Sequence, residues 1–246
     1  MSQLIYFIVH TYDMSGTLYG VSVGPGDPKM LTLKAKEIIE SSDIVCFPVV
    51  KKGGKSTALN IIKDVVDLSR CELKEIFFSM STDIAEIKRS EMDAAEEIAS
   101  MLDEEKNVSL ITLGDAGVYS TYMYVNDILL KKGYHTEVIA GISAFIYGAA
   151  RARLPLMLED ETLCIVPMAR NNIQRLDDAI RDNDNVVLMK AFGSIGTIGE
   201  LLDKHNIPFK NATVMSNIGM DDEYVGPLDT ERDYGYFTTV LIKRSI

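Results

Sequence analysis

Two short segments combine glycine with aspartate in a way that suits the binding of a small molecule. They are Gly24-Pro25-Gly26-Asp27 and Gly114-Asp115, and each follows an apolar run typical of a strand. Glycine permits positive φ and lets a ligand approach the backbone, and open α/β sheets bind ligands beyond the carboxyl ends of their strands. The pattern therefore predicts a ligand site at these loops. Tight strand-to-helix turns with capping aspartates are the alternative for either loop alone.

Nucleotide phosphates are poor candidates for this ligand, because two phosphate-binding patterns fail. The dinucleotide pattern G-x-G-x-x-G needs a third glycine where Lys29 stands, and Pro25 and Pro28 remove two amide donors. The P-loop pattern before Gly54-Lys55-Ser56 needs a glycine where Val49 stands. The two glycine-acid loops thus predict a ligand other than a dinucleotide or ATP.

The acidity of the chain limits its partners. Among 246 residues, 25 are Lys or Arg and 36 are Asp or Glu, which gives a formal net charge of −11. A surface of that sign does not attract a partner bound through many phosphates, so we expect no nucleic acid. Hydrophobic residues at 47% and charged residues at 25% exclude a disordered or collagen-like chain.

Neither a membrane segment nor a metal site is expected from the sequence. No apolar run approaches the roughly 18 residues of a membrane span, and the first residues lack the pattern of a signal peptide. Cys46, Cys71 and Cys164 are widely spaced in apolar contexts, as packed and reduced thiols are. The three histidines form no ligand spacing. We therefore predict a cytoplasmic protein with no membrane partner and no metal.

Alternating strand and helix patterns predict an α/β protein that begins with parallel strands. The strands expected in the first and second parts of the chain lie near residues 18–23, 43–47, 73–77, 108–113 and 136–139, then 162–166, 186–190, 213–216 and 236–242. A hinge is predicted at Pro155 and the acidic run 159–161. We expect an N-terminal extension at 1–13, an N-terminal α/β domain at 14–158 and a smaller C-terminal α/β domain at 159–246.

Two helices carry specific expectations. Asp27 and Pro28 have the residue types of a cap and a first turn, so a helix is predicted to begin at Pro28. A long helix over residues 82–105 is predicted, with the inward positions Ile84, Ile87, Met92, Ala95, Ile98 and Leu102.

Three motifs taken together resemble those of the tetrapyrrole methylases, the class III methyltransferases that use S-adenosylmethionine. They are LYGVSVGPGDPKMLT at 18–32, LGDAGVYST at 113–121 and GISA at 141–144, in the order and spacing of that family. Ala116 and Ala140 stand where members commonly have proline, which affects the rigidity of those loops. The resemblance implies two α/β domains, a cofactor in the cleft between them, and a homodimer.

The resemblance also implies which positions contact S-adenosylmethionine. The cofactor needs an apolar slot with backbone partners for adenine and a few polar groups for its amino acid end, and Asp115 is available to the sulfonium. The matched positions are Pro25, Leu113, Gly114, Asp115, Val118, Ser143, Ala144, Met189, Ile218 and Gly219. An ordinary place in the strand core is the alternative for Met189.

Within this family the runs YSTY at 119–122, VLMK at 187–190 and IGMDDE at 218–223 are most similar to enzymes that act on precorrin-2 or cobalt-precorrin-2. The activity implied is methylation of carbon 20, a meso position, in cobalamin biosynthesis. Direct in-line transfer to an electron-rich carbon depends mainly on positioning. Loss of the proton from that carbon calls for a base, with Asp27, Asp83 and Tyr119 as candidates. Each also has a structural alternative, as cap, surface acid or packing ring.

The implied substrate is a flat apolar macrocycle fringed with carboxylates, so its pocket is expected to have apolar walls and a few cations. Candidates for those cations are Lys51, Lys52, Lys55, Arg151, Arg153 and Lys190. Solvated surface charge is the alternative for each of them.

Two other functions stay open at this point. One is another class III methylase, of the diphthine synthase or uroporphyrinogen-III methylase type. The other is a protein that binds the tetrapyrrole or the cofactor without catalysis, which would bind the macrocycle but release no S-adenosylhomocysteine.

Overall fold

A computed structural model describes residues 15–168 and 173–244 of the chain, so the predicted extension at 1–13 lies outside the described residues. The described chain forms two five-stranded sheets, one after the other along the sequence. This is the predicted α/β architecture. None of the described helices is long and apolar enough to cross a membrane.

The first sheet is entirely parallel. Its strands are β1 (Thr17–Ser22), β2 (Ile44–Val49), β3 (Glu72–Phe77), β4 (Val108–Thr112) and β5 (His135–Ile139), in the spatial order β3-β2-β4-β1-β5. Parallel pairing brings the carboxyl ends of all five strands to one edge. Because β4, β1 and β5 are neighbours, the loops that follow them must lie side by side.

Helices cover both faces of this sheet. They are α1 (Leu33–Ser41), α2 (Thr57–Ile62), α3 (Ile84–Asp103) and α4 (Tyr122–Lys131). A fifth helix, α5 (Ala144–Ala152), follows β5. Side chains of α3 and α4 bury one face of the sheet, and those of α1 and α2 bury the other. Gly20 of β1 admits the ring of Tyr122, because a Cβ at Gly20 would lie 2.0 Å from that ring.

The predicted helix start at Pro28 is wrong. Asp27 does cap the segment, accepting a hydrogen bond from the Lys29 amide, but Pro28–Met30 forms only a 3-10 turn. Leu31 then returns to an extended backbone. Thr32 caps α1 through a hydrogen bond from the Ala35 amide, so the second capping residue sets the helix start.

The predicted inner face of α3 is also wrong at two positions. Ile84 and Met92 are 51% and 55% exposed. The buried stripe runs through Ala95, Ile98 and Leu102. Ile84 lies in the first turn of the helix, and Met92 lies about 100° around the axis from the buried Glu91, since each residue turns an α-helix by that angle.

The second sheet is mixed. It comprises β6 (Leu163–Pro167), β7 (Asn185–Met189), β8 (Ala212–Ser216), β9 (Tyr224–Pro227) and β10 (Thr238–Lys243), in the order β6-β7-β10-β8-β9. Strands β6 and β7 are parallel, and the other neighbours are antiparallel. The sequence did not predict β9, which is short, partly exposed and ends in Gly226-Pro227.

Two helices, α6 (Ile173–Asp182) and α7 (Ile195–Lys204), cover one face of the second sheet. The other face is covered by α5, which precedes the predicted hinge. Phe145 and Ala149 of α5 pack against Val187, Met215 and Leu241. The two sheets are therefore joined by a buried apolar contact. The division at residues 158 and 159 stays a prediction.

Candidate functional site

The first two glycine-acid loops are bonded directly to each other. The Gly24 amide donates to the Gly114 carbonyl at 3.2 Å, and the Gly114 amide donates to the Gly24 carbonyl at 2.7 Å. Both glycines have positive φ, +80° and +74°, a conformation that other residues adopt at a cost. The two hydrogen bonds form an antiparallel bridge just beyond the parallel β1–β4 pair, and they hold the two loops together as one backbone surface.

Asp115 ties the second loop to the third. Its Oδ1 accepts a hydrogen bond from the Gly117 amide at 2.9 Å, and its Oδ2 accepts one from the Gly141 amide at 2.7 Å. Ser22 adds a contact, since its hydroxyl accepts from the Ala116 amide at 2.8 Å. A Cβ on Gly141 would lie 2.4 Å from the Cβ of Ser22, so the third loop closes on the first strand only with glycine there. Asp115 thus organises the loops while keeping a negative charge at their junction.

The first loop touches the second sheet at a turn after β8. A Cβ on Gly26 would lie 2.4 Å from the Ile218 carbonyl oxygen, and a Cβ on Gly219 would lie 2.4 Å from the Asp27 amide nitrogen. Gly219 also has φ of +79°. Glycine on both sides therefore allows two backbones to approach where a side chain would separate them.

A polar chain that the sequence did not predict reinforces this contact. The Tyr147 hydroxyl donates to Asp27 Oδ2 at 3.1 Å. One turn further along α5, the Arg151 guanidinium pairs with Glu223 Oε1 at 2.6 Å. The other oxygen of Glu223 accepts from the Gly219 amide at 2.8 Å. Tyr147 and Arg151 are four residues apart, so they lie on the same face of α5. From that spacing, their shared orientation could have been predicted from the sequence.

The surroundings shift the pKa of two side chains in this set of polar contacts. Desolvation and the hydrogen bond to Asp27 raise the pKa of Tyr147. The Glu223 carboxylate raises the pKa of the Arg151 guanidinium. Both shifts favour the protonated form of the side chain. Tyr147 and Arg151 therefore keep their hydrogen bonds to Asp27 and Glu223 at neutral pH.

A second contact crosses between the sheets beside Met189. The Tyr119 hydroxyl donates to the Ile165 carbonyl of β6 at 3.0 Å, and Lys190 Nζ lies 3.5 Å from the Tyr119 carbonyl. Tyr119 and Lys190 both have left-handed backbones, with φ of +50° and +58°. Residues other than glycine that hold this conformation cluster at functional sites.

Most of the predicted cofactor positions lie at or beside the contacts between the two sheets. Pro25 is buried in the first loop, and Ser143 is buried at the start of α5. Leu113, Gly114 and Asp115 form the second loop. Val118 and Met189 pack on the apolar cluster between α5 and the second sheet. Ala144 begins α5, while Ile218 and Gly219 face the first loop.

The predicted cations and bases are more scattered. Lys51, Lys52 and Lys55 lie on an exposed turn after β2, where the Gly53 amide donates to the Glu75 carboxylate at 2.9 Å. Arg153 is exposed at the end of α5. Asp83 is exposed and caps α3 by accepting from the Ala85 amide. Of the three candidate bases, Asp27 and Tyr119 lie at contacts between the sheets.

These features define an α/β protein of two sheet-based units, in which glycine loops at the carboxyl edge of a parallel sheet meet a turn of the second sheet. A family model described as Tetrapyrrole (Corrin/Porphyrin) Methylases matches residues 17–231. The chain therefore belongs to the tetrapyrrole methylases, and it is a methyltransferase of class III.

Individual relatives agree with this family. A probable cobalt-precorrin-2 C(20)-methyltransferase of Methanocaldococcus jannaschii is 40% identical over 174 residues, which cover 71% of this chain and 72% of the relative. The cobalt-precorrin-2 C(20)-methyltransferase of Salmonella typhimurium is 31% identical over 237 residues, 94% and 98% of the two chains. A uroporphyrin-III C-methyl transferase of Thermus thermophilus, solved with S-adenyl homocysteine, has the same fold, with a TM-score of 0.63 at 17% identity over 93% and 97%.

Proposed function

We propose that the protein transfers a methyl group from S-adenosylmethionine to carbon 20 of cobalt-precorrin-2. The observation that carries the proposal is the interlocked set of three glycine loops facing the turn at 218–219, in a chain of this family. The substrate and position follow from two relatives at 31% and 40% identity, which are named for that reaction.

The residues at the loops fit the proposed cofactor. The side of Gly114 where a Cβ would project is open, with no atom within 4 Å, so a ligand can reach its backbone. Ala144 and Phe145 begin α5, where first-turn amides have no partner inside the helix and can donate to a ligand. Val118 and Met189 supply an apolar wall for adenine. When bound, S-adenosylmethionine supplies an electrophilic methyl group on a sulfonium.

The protein's own contribution is mainly positioning. Methyl transfer to a ring carbon needs no covalent enzyme intermediate, so holding the two reactants in line accounts for much of the rate. Asp115 places a fixed negative charge at the junction of the loops, which favours a bound cation. The rigid backbone ties at Gly24–Gly114 and Asp115–Gly141 keep that geometry before the ligands bind.

Asp27 is the strongest of the candidate bases. Its Oδ2 lies at the contact between the first loop and the second sheet, where Tyr147 donates to it. It can take the proton that the methylated carbon releases. Asp27 and Asp83 each accept a capping hydrogen bond through Oδ1, but Asp83 is exposed at the start of α3, away from that contact. The Tyr119 hydroxyl donates to the Ile165 carbonyl.

Assembly and location belong to the same proposal. The resemblance to the family supports a homodimer, which light scattering on the purified chain tests. Cys46, Cys71 and Cys164 are free thiols in the described structure, which suits a reducing cytoplasm. Burial raises the pKa of the Cys46 thiol to about 12, so that sulfur is protected from oxidation.

The deciding experiment is incubation of the protein and S-adenosylmethionine with cobalt-precorrin-2 and, separately, with precorrin-2. We expect the mass of one added methyl on cobalt-precorrin-2, with nuclear magnetic resonance placing it at carbon 20, and release of S-adenosylhomocysteine. A protein that binds S-adenosylhomocysteine but methylates neither compound would contradict the proposal. Binding of the macrocycle without turnover would instead indicate a carrier.

A further inference from the structure

Three aromatic side chains form an exposed cluster on the second sheet. The ring centroids of Phe192 and Tyr236 lie 6.0 Å apart, and those of Tyr236 and Phe237 lie 5.1 Å apart. The three residues are 50%, 54% and 36% exposed. Single exposed apolar residues are ordinary, but a contiguous apolar patch marks a site of interaction. We call Phe192, Tyr236 and Phe237 the aromatic cluster.

The aromatic cluster lies between the two contacts that join the sheets. It occupies the edge where β7 ends and β10 begins, since the Ala191 amide donates to the Thr238 carbonyl at 2.9 Å. On one side, Lys190 reaches the second loop at Tyr119. On the other side, the backbone amide of Asn217 donates to the Phe237 carbonyl at 3.0 Å. Ile218 and Gly219, which follow Asn217, contact the first loop. The cluster therefore lies beside both contacts between the sheets.

A cation accompanies the rings. Lys190 is exposed and lies two positions before Phe192. Its Nζ contacts a backbone carbonyl at 3.5 Å, and in the described part of the chain no carboxylate pairs with it. Desolvation lowers its pKa. A lysine held in a left-handed backbone beside three exposed rings, and left without a counter-charge, is suited to an anionic ligand with an apolar face.

We propose that the aromatic cluster and Lys190 bind the tetrapyrrole substrate, with the rings against the face of the macrocycle and the ammonium group on one of its carboxylates. This inference rests on the proposed function. Adenine, the other flat group in the reaction, is smaller than a surface of three successive rings. The proposal thus assigns this edge to the methyl acceptor and the glycine loops to the methyl donor.

The test separates binding of the two ligands. We compare Phe192→Leu, Tyr236→Leu and Lys190→Gln with the wild type, measuring cobalt-precorrin-2 by its absorbance and S-adenosylhomocysteine by calorimetry. Loss of one aromatic contact should weaken macrocycle binding about three- to tenfold. Lys190→Gln should weaken it by a similar factor and reduce its dependence on salt. The affinity for S-adenosylhomocysteine should stay within about twofold of the wild type.

Tyr124→Leu is the matched control, because Tyr124 is 59% exposed on α4 and no ring contact involves it within the described residues. It should change neither affinity. Unchanged macrocycle binding in all three test variants would overturn the proposal. So would weaker S-adenosylhomocysteine binding with unchanged macrocycle binding, which would place adenine on the cluster.

Failure of the proposed function is separable from failure of this inference. Both affinities are measured without turnover. A wild type that binds the macrocycle but does not methylate it contradicts the function while the variants still test the cluster. A wild type that binds no macrocycle contradicts both. A parallel loss of both affinities with a lower melting temperature would show a structural role and overturn the inference.

Discussion

The two surfaces that meet between the sheets are built by different means. On the first sheet, the loops are joined by backbone amides and carbonyls, with glycine at each close approach. On the second sheet, the edge presents exposed rings and a lysine. A backbone surface suits the proposed cofactor, because it does not depend on side-chain identity. A side-chain surface suits a substrate that distinguishes one methylase from another.

The largest effect is expected at the contact between the two sides. Gly219→Ala places a Cβ 2.4 Å from the Asp27 amide at a φ of +79°. Overpacking and left-handed strain together should cost about 3 kcal/mol of unfolding free energy, and S-adenosylhomocysteine binding should fall with it. Urea denaturation and calorimetry measure the two quantities.

Gly193→Ala is the matched control for that substitution. Gly193 has nearly the same φ, +75°, but no atom lies within 4 Å of its added Cβ. It should therefore lose only about 1–2 kcal/mol, the cost of the left-handed backbone. Equal losses in the two variants would show that the contact between the sheets contributes nothing.

The next largest effect is expected for Asp115→Asn, in the second glycine loop of the first sheet. An asparagine side chain has one acceptor oxygen, so its amide group must face the N–H of either Gly117 or Gly141. Leaving one donor unpaired should cost about 1–3 kcal/mol of stability and weaken S-adenosylhomocysteine binding. Asp83→Asn, which keeps a good helix cap, should change neither. Unaltered stability of Asp115→Asn would show that the loops do not depend on this tie.

Tyr147→Phe should have a moderate effect, about 1 kcal/mol for one hydrogen bond. It also changes the alkaline limit of stability. The pKa of Tyr147 is raised above its ordinary value of 10.0 in the folded chain. The stabilisation by its hydrogen bond is therefore fully present below pH 10.0 and is lost as the pH rises above that value. The variant should therefore lose less stability above about pH 10 than the wild type. Denaturation at pH 8 and pH 11 tests this, with Tyr124→Phe, which alters an exposed tyrosine on α4, as the control that should change stability at neither pH.

The smallest effect is expected for Arg151→Gln. Its side chain is 52% exposed, so loss of its ion pair with Glu223 should cost at most about 1 kcal/mol, and less in high salt. Arg181→Gln is matched in exposure at 52% and breaks ion pairs on α6. Only Arg151→Gln should also weaken S-adenosylhomocysteine binding, because Glu223 positions the turn at Gly219. If both variants bound S-adenosylhomocysteine equally well, Arg151 would not contribute to the contact between the sheets.

Local patterns predicted much of the fold. The strands of the first sheet are found within one or two residues of their predicted bounds. Strands β1, β2 and β4 are short, mostly buried runs bounded by turn residues, whereas β3 and β5 are more polar and end in apolar residues. Predictions failed where two local signals competed. Asp27 and Thr32 both have cap chemistry, and the structure uses one for a 3-10 turn and the other for α1.

The sequence by itself determined the parallel order of elements and the three glycine loops, since glycine, proline and capping residues act on the backbone nearest to them. Only the tertiary structure decided which loops meet. Gly26 and Gly219 are far apart in the chain, and they touch because α5 buries its apolar face under the second sheet. Phe192 and Tyr236 are neighbours because β7 and β10 pair antiparallel. Such contacts depend on the packing of distant segments, which no local spacing encodes.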